Sequence, residues 1–209
     1  MSMTSNKTSN KIASRLALLE ARIKEANFLR GAGLGNEVNF HVFDYEPELE
    51  PVVTAHLPRL QANLESAGVR VLHLDLYDLV LEELKARNLL ERSFAMEQTK
   101  GSAALEKSLG TVIRAEVIVE RIKAARVNEA RVNDASTVVH DLLLLTGVGA
   151  VFPLLRSHTV LNQLHSVITE ALVLFFPGSY NGSSLELFDR FEDDHYYRAF
   201  PLVPRKGAS

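Results

Sequence analysis

The sequence predicts an α/β fold: a mostly parallel central sheet flanked by helices, with one helical insertion. Three observations predict it. Asp141 to Thr146 reads DLLLLT, a continuously apolar run of the kind found in a strand covered on both faces. Upstream, NFHVFDY and VRVLHLDLY read as strands separated by a run with helical spacing, the strand–helix–strand rhythm of a crossover between parallel strands. After the apolar strand, Gly147 and Gly149 turn the chain without the lysine or the spacing of G-x-x-x-x-G-K-[ST], which leaves an NTPase-like core lacking a P-loop.

Residues 1–11 are polar and read as a disordered tail, and one α/β domain is expected over residues 12–203, with residues 204–209 as a C-terminal tail. Ile12, Leu16, Leu19 and Ile23 follow the i, i+4, i+7, i+11 spacing of a helix with one buried face. Gly31, Gly33 and Gly35 end that helix and open a loop to about Val38. Phe40 to Tyr45 is aromatic and β-branched and runs into Pro47, which suits a first strand. Val53, Leu57, Leu60 and Leu64 restore helical spacing up to Gly68, and Pro58 is expected to kink or split this helix.

Val69 to Tyr77 alternates as a second strand, with Asp78 placed to cap a helix starting at Leu79. From about residue 89 to 135, charges mix with apolar residues at helical intervals such as Val112, Val119 and Ile122, the expected insertion. Within it, ARVNEARVND is too short a repeat to build a solenoid. Beyond the DLLLLT strand, Leu154 to Leu164 reads as a helix, and Leu172 to Phe176 as a short strand that Pro177 and Gly178 terminate. His195 to Leu202 alternates weakly, as an edge strand.

Composition limits the function classes. The chain has 209 residues, 46% apolar and 23% charged, with a mean hydropathy of +0.01, which suits one folded core and argues against disorder and membrane insertion. A net charge of −3 gives no overall footprint for nucleic acid. Without cysteine there is no disulfide, thiolate or cysteine–zinc chemistry, and nothing marks an oxidising compartment. The polar N-terminus does not fit a secretory signal, and no apolar run reaches the roughly 20 residues that span a bilayer. A cytoplasmic location is expected.

Parallel sheets bind ligands outside the carboxyl ends of their strands. That rule selects a candidate ligand or partner contact edge: Asp44, Asp75, Gly147, Gly149, Arg156, His158, Tyr180 and Asn181. Asp75 ends an apolar strand, the setting of a magnesium-binding acid in nucleotide hydrolases, but also that of an ordinary strand-end acid. Arg156 and His158 stand near the start of a helix, where backbone amides favour a phosphate or carboxylate. The alternative is that Ser157 or Thr159 caps that helix while Arg156 pairs with an acid such as Asp141. Asp193, Asp194 and His195 are metal-ligand types, but adjacent residues of a strand point to opposite sides, so a solvated turn is expected. No histidine motif of a zinc protease and no nucleophile elbow is present, and neither a metal nor a cofactor is expected. Arg114, Arg121, Lys123, Arg126 and Arg131 interleave with Glu116, Glu120 and Glu129, the pattern of a solvated helix face rather than a DNA-binding one.

Four blocks, GLGNEVNFHVFDY, LDLYDLVLE, TGVGAVFPLLRSHTVLNQL and FFPGSYNGSSLELF through DDHYYRAFPL, resemble in their order the BrxB family of bacterial phage-exclusion (BREX) defence systems. The resemblance implies a small cytoplasmic component of a multi-protein machine that protects a bacterium from phage. With no credible active site in the sequence, a non-catalytic adaptor is expected, the alternative being a nucleotide- or nucleic-acid-binding regulatory or hydrolytic subunit. Its implied partners are the PglZ alkaline-phosphatase-like protein first, then the BREX ATPase and the PglX methyltransferase. It carries no catalytic residues over to this chain.

Overall fold

The computed structural model describes residues 3–29, 39–132, 140–193 and 199–205. The fold is α/β, with a mostly parallel central sheet flanked by helices. The chain divides into two compact units, one of Met1–His73, Val139–Leu145 and Thr169–Ser209, the other of Leu74–Val138 and Thr146–Ile168.

The first unit opens with α1, Met3–Ile23, and a short α2, Ala26–Leu29. α1 starts at Met3, nine residues before Ile12, within the stretch expected as a tail. β1, Phe40–Tyr45, leads through a 3-10 turn at Pro47–Leu49 into α3, Glu50–Ser66. α3 is one helix despite Pro58. Pro58 and Thr54, whose carbonyl loses its donor, are both exposed, so water can take the missing bond.

β2, Val71–Asp75, precedes α4, Leu76–Ala86. The strand ends two residues earlier than expected, and the capping residue is Asp75 rather than Asp78. The expected insertion is helical: α5, Leu90–Lys100, α6, Ser102–Leu109, and α7, Ala115–Val132. β3, Leu142–Thr146, is followed by a short α8, Val148–Val151, and by α9, Ser157–Leu164.

β4 runs from Ala171 to Tyr180, through the Pro177–Gly178 pair that was expected to end it. It changes partners there instead. Its first residues pair in parallel with β1 and β3, while Gly178 to Tyr180 pair antiparallel with β5, Leu185–Leu187. β6, Phe191–Asp193, extends that hairpin, and β7, Phe200–Pro201, lies parallel against β1. Among the described residues the order along the sheet is β2-β3-β4-β1-β7. The expected edge strand is thus confined to Phe200–Pro201, and Asp194 and His195 fall outside the described residues.

α1 contributes Ile12, Leu16, Leu19 and Ile23 to one core, each at most 1% exposed, and α3 adds Val53, Leu57, Leu60 and Leu64. Full burial of each such side chain is worth roughly 1.5–3 kcal/mol. They cluster with Phe43, Leu142, Leu144, Val173 and Phe175 from the sheet. The alternate residues Leu143, Leu145, Leu172 and Leu174 are equally buried, as a two-sided sheet requires. No described helix is long and apolar enough to cross a membrane.

Candidate functional site

In the first unit, Asp44 stands at the end of β1 and is 3% exposed. Its Oδ1 accepts a hydrogen bond from Arg15 Nη2 at 2.9 Å, and its Oδ2 accepts from the Tyr180 backbone N–H at 3.2 Å. Arg15 also donates from Nε and Nη2 to the Val203 carbonyl, at 3.1 and 2.6 Å, and its guanidinium lies 4.7 Å over the Phe43 ring. Burial pushes the Asp44 carboxyl above its usual range, opposed by the Arg15 charge, and pushes the Arg15 guanidinium down, opposed by Asp44. Asp44 therefore faces inward, held by Arg15 of α1 and by the backbone of β4, while Arg15 in turn ties to the C-terminal segment at Val203.

Tyr180 is buried beside it, its hydroxyl donating to the Ala199 carbonyl at 2.7 Å. Asn181 is exposed and closes the turn after β4: Oδ1 accepts from the Ser183 and Ser184 backbone amides at 2.9 and 2.8 Å. Arg205 completes this end of the unit, donating to the Gly178 carbonyl at 3.0 Å and pairing with Asp189 at 3.2 Å.

The second unit holds Asp75, Gly147, Gly149, Arg156 and His158. Asp75 caps α4, with Oδ1 accepting from the Tyr77 and Asp78 amides at 2.8 and 3.3 Å. Its Oδ2 accepts from Thr146 Oγ1 at 2.8 Å. Gly147 has a φ of +77°, and a Cβ added there would collide with Asp75 Oδ1 and sit 2.8 Å from Asp75 Cγ. The glycine lets the end of β3 close onto the cap of α4. Gly149 lies within α8, Arg156 is exposed at the N-cap of α9, and His158 is half-buried in its first turn.

The N-cap residue of α9 is Arg156 itself, without a side-chain cap hydrogen bond, so the alternative of a Ser157 or Thr159 N-cap is not what the structure has. Asp141 pairs not with Arg156 but with Arg70, which grips both its oxygens at 2.8 and 3.0 Å. The structure brings Asp44 to Tyr180 and Asp75 to Gly147. Sequence reasoning missed Arg15, Val203 and Arg205, and in the second unit Glu83, which is buried and paired with Arg87 and Arg121. Arg15 follows Ile12 by three residues and Glu83 follows Leu79 by four, so each lies on its helix's buried stripe.

The basic residues of α7 are largely engaged within the unit. Arg121 donates to Glu83 at 2.6 Å, Lys123 to Glu120 at 2.7 Å, and Arg126 to the Val167 carbonyl at 3.0 Å. The Arg131 and Glu129 side chains lie outside the described residues. Among the described residues, no three histidine or acidic side chains are grouped to hold a metal ion.

The sequence profile described as "BREX protein BrxB" matches residues 72–202. A BREX protein BrxB of Bacillus cereus (strain H3081.97) is 38% identical over 201 residues, covering 93% of this chain and 99% of its own length. Another, of Escherichia coli O9:H4 (strain HS), is 34% identical over 194 residues, covering 92% of each chain. No solved structure matches. With a profile that takes in more than half of its length and relatives aligned almost end to end, the chain belongs to the BrxB family of BREX proteins.

Proposed function

We propose that this chain is a non-catalytic component of a BREX phage-defence complex, an adaptor that binds the PglZ alkaline-phosphatase-like subunit. The observation that carries the reading is the state of the two strand-end acids. In parallel-sheet enzymes such acids face a ligand. Here Asp44 accepts from Arg15 and Tyr180, and Asp75 from Thr146 and the first amides of α4, so all four oxygens already serve the chain's own architecture. Family membership supplies the setting, and the BREX ATPase and the PglX methyltransferase are further candidate members of the assembly.

Co-purification from a strain carrying this chain with an affinity tag tests the adaptor role. Recovery of the PglZ-like subunit with the tag is the expected result. Elution of the chain alone, while the other components associate without it, removes the reading. Titration with ATP, GTP and short oligonucleotides while following thermal unfolding tests the non-catalytic part. A bound ligand at 100 times its Kd adds about 2.7 kcal/mol, so a stabilising shift would favour a nucleotide- or nucleic-acid-binding regulatory or hydrolytic subunit instead.

A further inference from the structure

Residues 199–205 of the first unit run as a strap beside β1. Phe200 and Pro201 pair in parallel with His41 and Val42, and the Leu202 N–H donates to the Val42 carbonyl at 2.8 Å. Leu202 is buried in the core beneath. The strap then passes the carboxyl ends of β1 and β4. There Arg205 donates to the Gly178 carbonyl at 3.0 Å and pairs with Asp189 at 3.2 Å and Glu46 at 3.5 Å.

Those two strand ends form a topological switch point. β1 leads on to β2, past β4 and β3, whereas β4 leads through the β5–β6 hairpin to β7, past β1, so the chain leaves the two neighbours in opposite directions. Parallel sheets take their ligands at such a place. Here the chain's own strap lies over it.

The strap fits its seat imperfectly. Val203 has a φ of 55°, left-handed backbone that is costly for a β-branched residue. Arg15 holds it there, with Nε and Nη2 both donating to the Val203 carbonyl. The third guanidinium nitrogen, Nη1, is buried without a hydrogen-bond partner among the described residues, so the seat offers a donor that the strap leaves unused. Backbone strain and an orphan donor at one contact mark a place that a different segment fits better.

Charge and edge geometry say what kind of segment. Without Arg205, the seat sets the carboxylates of Asp44, Glu46 and Asp189 against the guanidinium of Arg15, an excess that selects a cationic occupant. The edge of β1 that the strap covers selects an extended one, which joins the sheet through its backbone.

We propose that the strap fills, in cis, the seat of a protein partner. The partner's segment pairs with β1, turns at a glycine where this chain has Val203, and sets an arginine in the place of Arg205. The strap keeps the seat closed until that segment displaces it. The proposal rests on the adaptor reading for the partner being a protein.

The test titrates the full chain with capped fluorescent peptides of the strap sequence, AFPLVPR, and of its glycine form, AFPLGPR, followed by anisotropy. AFPLGPR is expected to bind about tenfold more tightly, the equivalent of ~1.4 kcal/mol of relieved left-handed strain. A competing strap lowers apparent affinity by the fraction of open seats. Arg205→Ala is therefore expected to tighten AFPLGPR binding about tenfold, and Val203→Gly to weaken it about tenfold while raising the melting temperature. Equal affinity of AFPLGPR for wild type and both variants, or no saturable binding to Arg205→Ala, overturns the seat. A Val203→Gly chain that does not melt higher overturns the claim that the strap is strained.

Titration with the purified PglZ-like subunit of the same system separates the seat from the adaptor role. The same order of affinities is expected, Arg205→Ala tightest and Val203→Gly weakest. Equal affinities overturn the seat as the point of contact and leave the adaptor role standing. If the subunit binds none of the three chains, the adaptor reading falls and the peptide titration alone decides the seat.

Discussion

Arg15 and Asp44 meet 29 residues apart in sequence, Nη2 to Oδ1 at 2.9 Å, with side chains only 8% and 5% exposed. Two charges so buried gain little net stability from each other, since desolvation offsets their attraction, but removing one strands the other. Arg15→Ala is therefore expected to lower the free energy of urea unfolding by about 3–5 kcal/mol. It also removes the donors to the Val203 carbonyl, so the double change Arg15→Met, Asp44→Leu should recover only part of the loss. A cost below about 1 kcal/mol, the range of an exposed pair, would contradict the buried geometry.

His41 predicts how the fold responds to mild acid. Asn39 Nδ2 donates to the Phe28 carbonyl at 2.5 Å, so Asn39 Oδ1 is left to accept from His41 Nε2 at 2.6 Å, and the imidazole is neutral, its Nδ1 without a partner among the described residues. Burial depresses its pKa from 6.5 to about 4. Between those values the unfolded chain binds the extra proton more readily than the folded one, so this stability is complete above pH 6.5 and falls as pH drops toward 4. The full effect is on the order of 3 kcal/mol. Urea unfolding at pH 7 and pH 4.5 should show a smaller drop for His41→Phe than for wild type. Equal drops would mean that another group sets the slope.

Gly147 and Asp75 form a second coupled pair, and it is separable by a double-mutant cycle. Gly147→Ala puts a methyl against the Asp75 carboxylate and forces alanine to a φ of +77°. Asp75→Ala alone removes a helix cap, at a cost of about 0.5–2 kcal/mol. The two losses should not add, because truncating Asp75 relieves the collision and leaves only the backbone strain, roughly 1–2 kcal/mol. Thermal unfolding of the three variants measures the coupling. Simple additivity would mean that the carboxylate moves aside without cost.

Much of the fold is legible because packing writes itself as periodicity. The all-apolar β3 and the stripes of α1 and α3 follow from residue type alone. Pairing does not: Pro177 and Gly178 read as a stop, yet the Pro177 carbonyl still accepts from Phe188, and Gly178 is where β4 exchanges parallel partners for β5. Asp75 was visible as a strand-end acid, but its role as cap depended on where α4 begins, and placing that start at Leu79 hid it behind Asp78. Arg15 and Glu83 were passed over for one reason. A search for apolar spacing skips a charged residue on the buried stripe, although the stripe itself says that its charge has found a partner.

Glu83 turns that last point into a measurement. It is 6% exposed on α4, between Arg87 on its own helix and Arg121 on α7, whose Nε donates to Oε2 at 2.6 Å. Burial works to raise its pKa, and the hydrogen bonds and charges of the two arginines together outweigh it, holding the carboxyl below the ordinary value of 4.5. A depressed carboxyl contributes stability that is fully present above the unfolded pKa and is lost as pH falls through the folded one. Glu83→Gln keeps the shape but not the charge, and is expected to cost about 2 kcal/mol at pH 7, the scale of a hydrogen bond to a charged group. Because protonation makes wild type resemble the variant, the gap between them should narrow steadily below pH 4.5. A gap that stays constant down to pH 3 would place the contribution of Glu83 in packing rather than charge, and the α4–α7 contact would then tolerate leucine at this position.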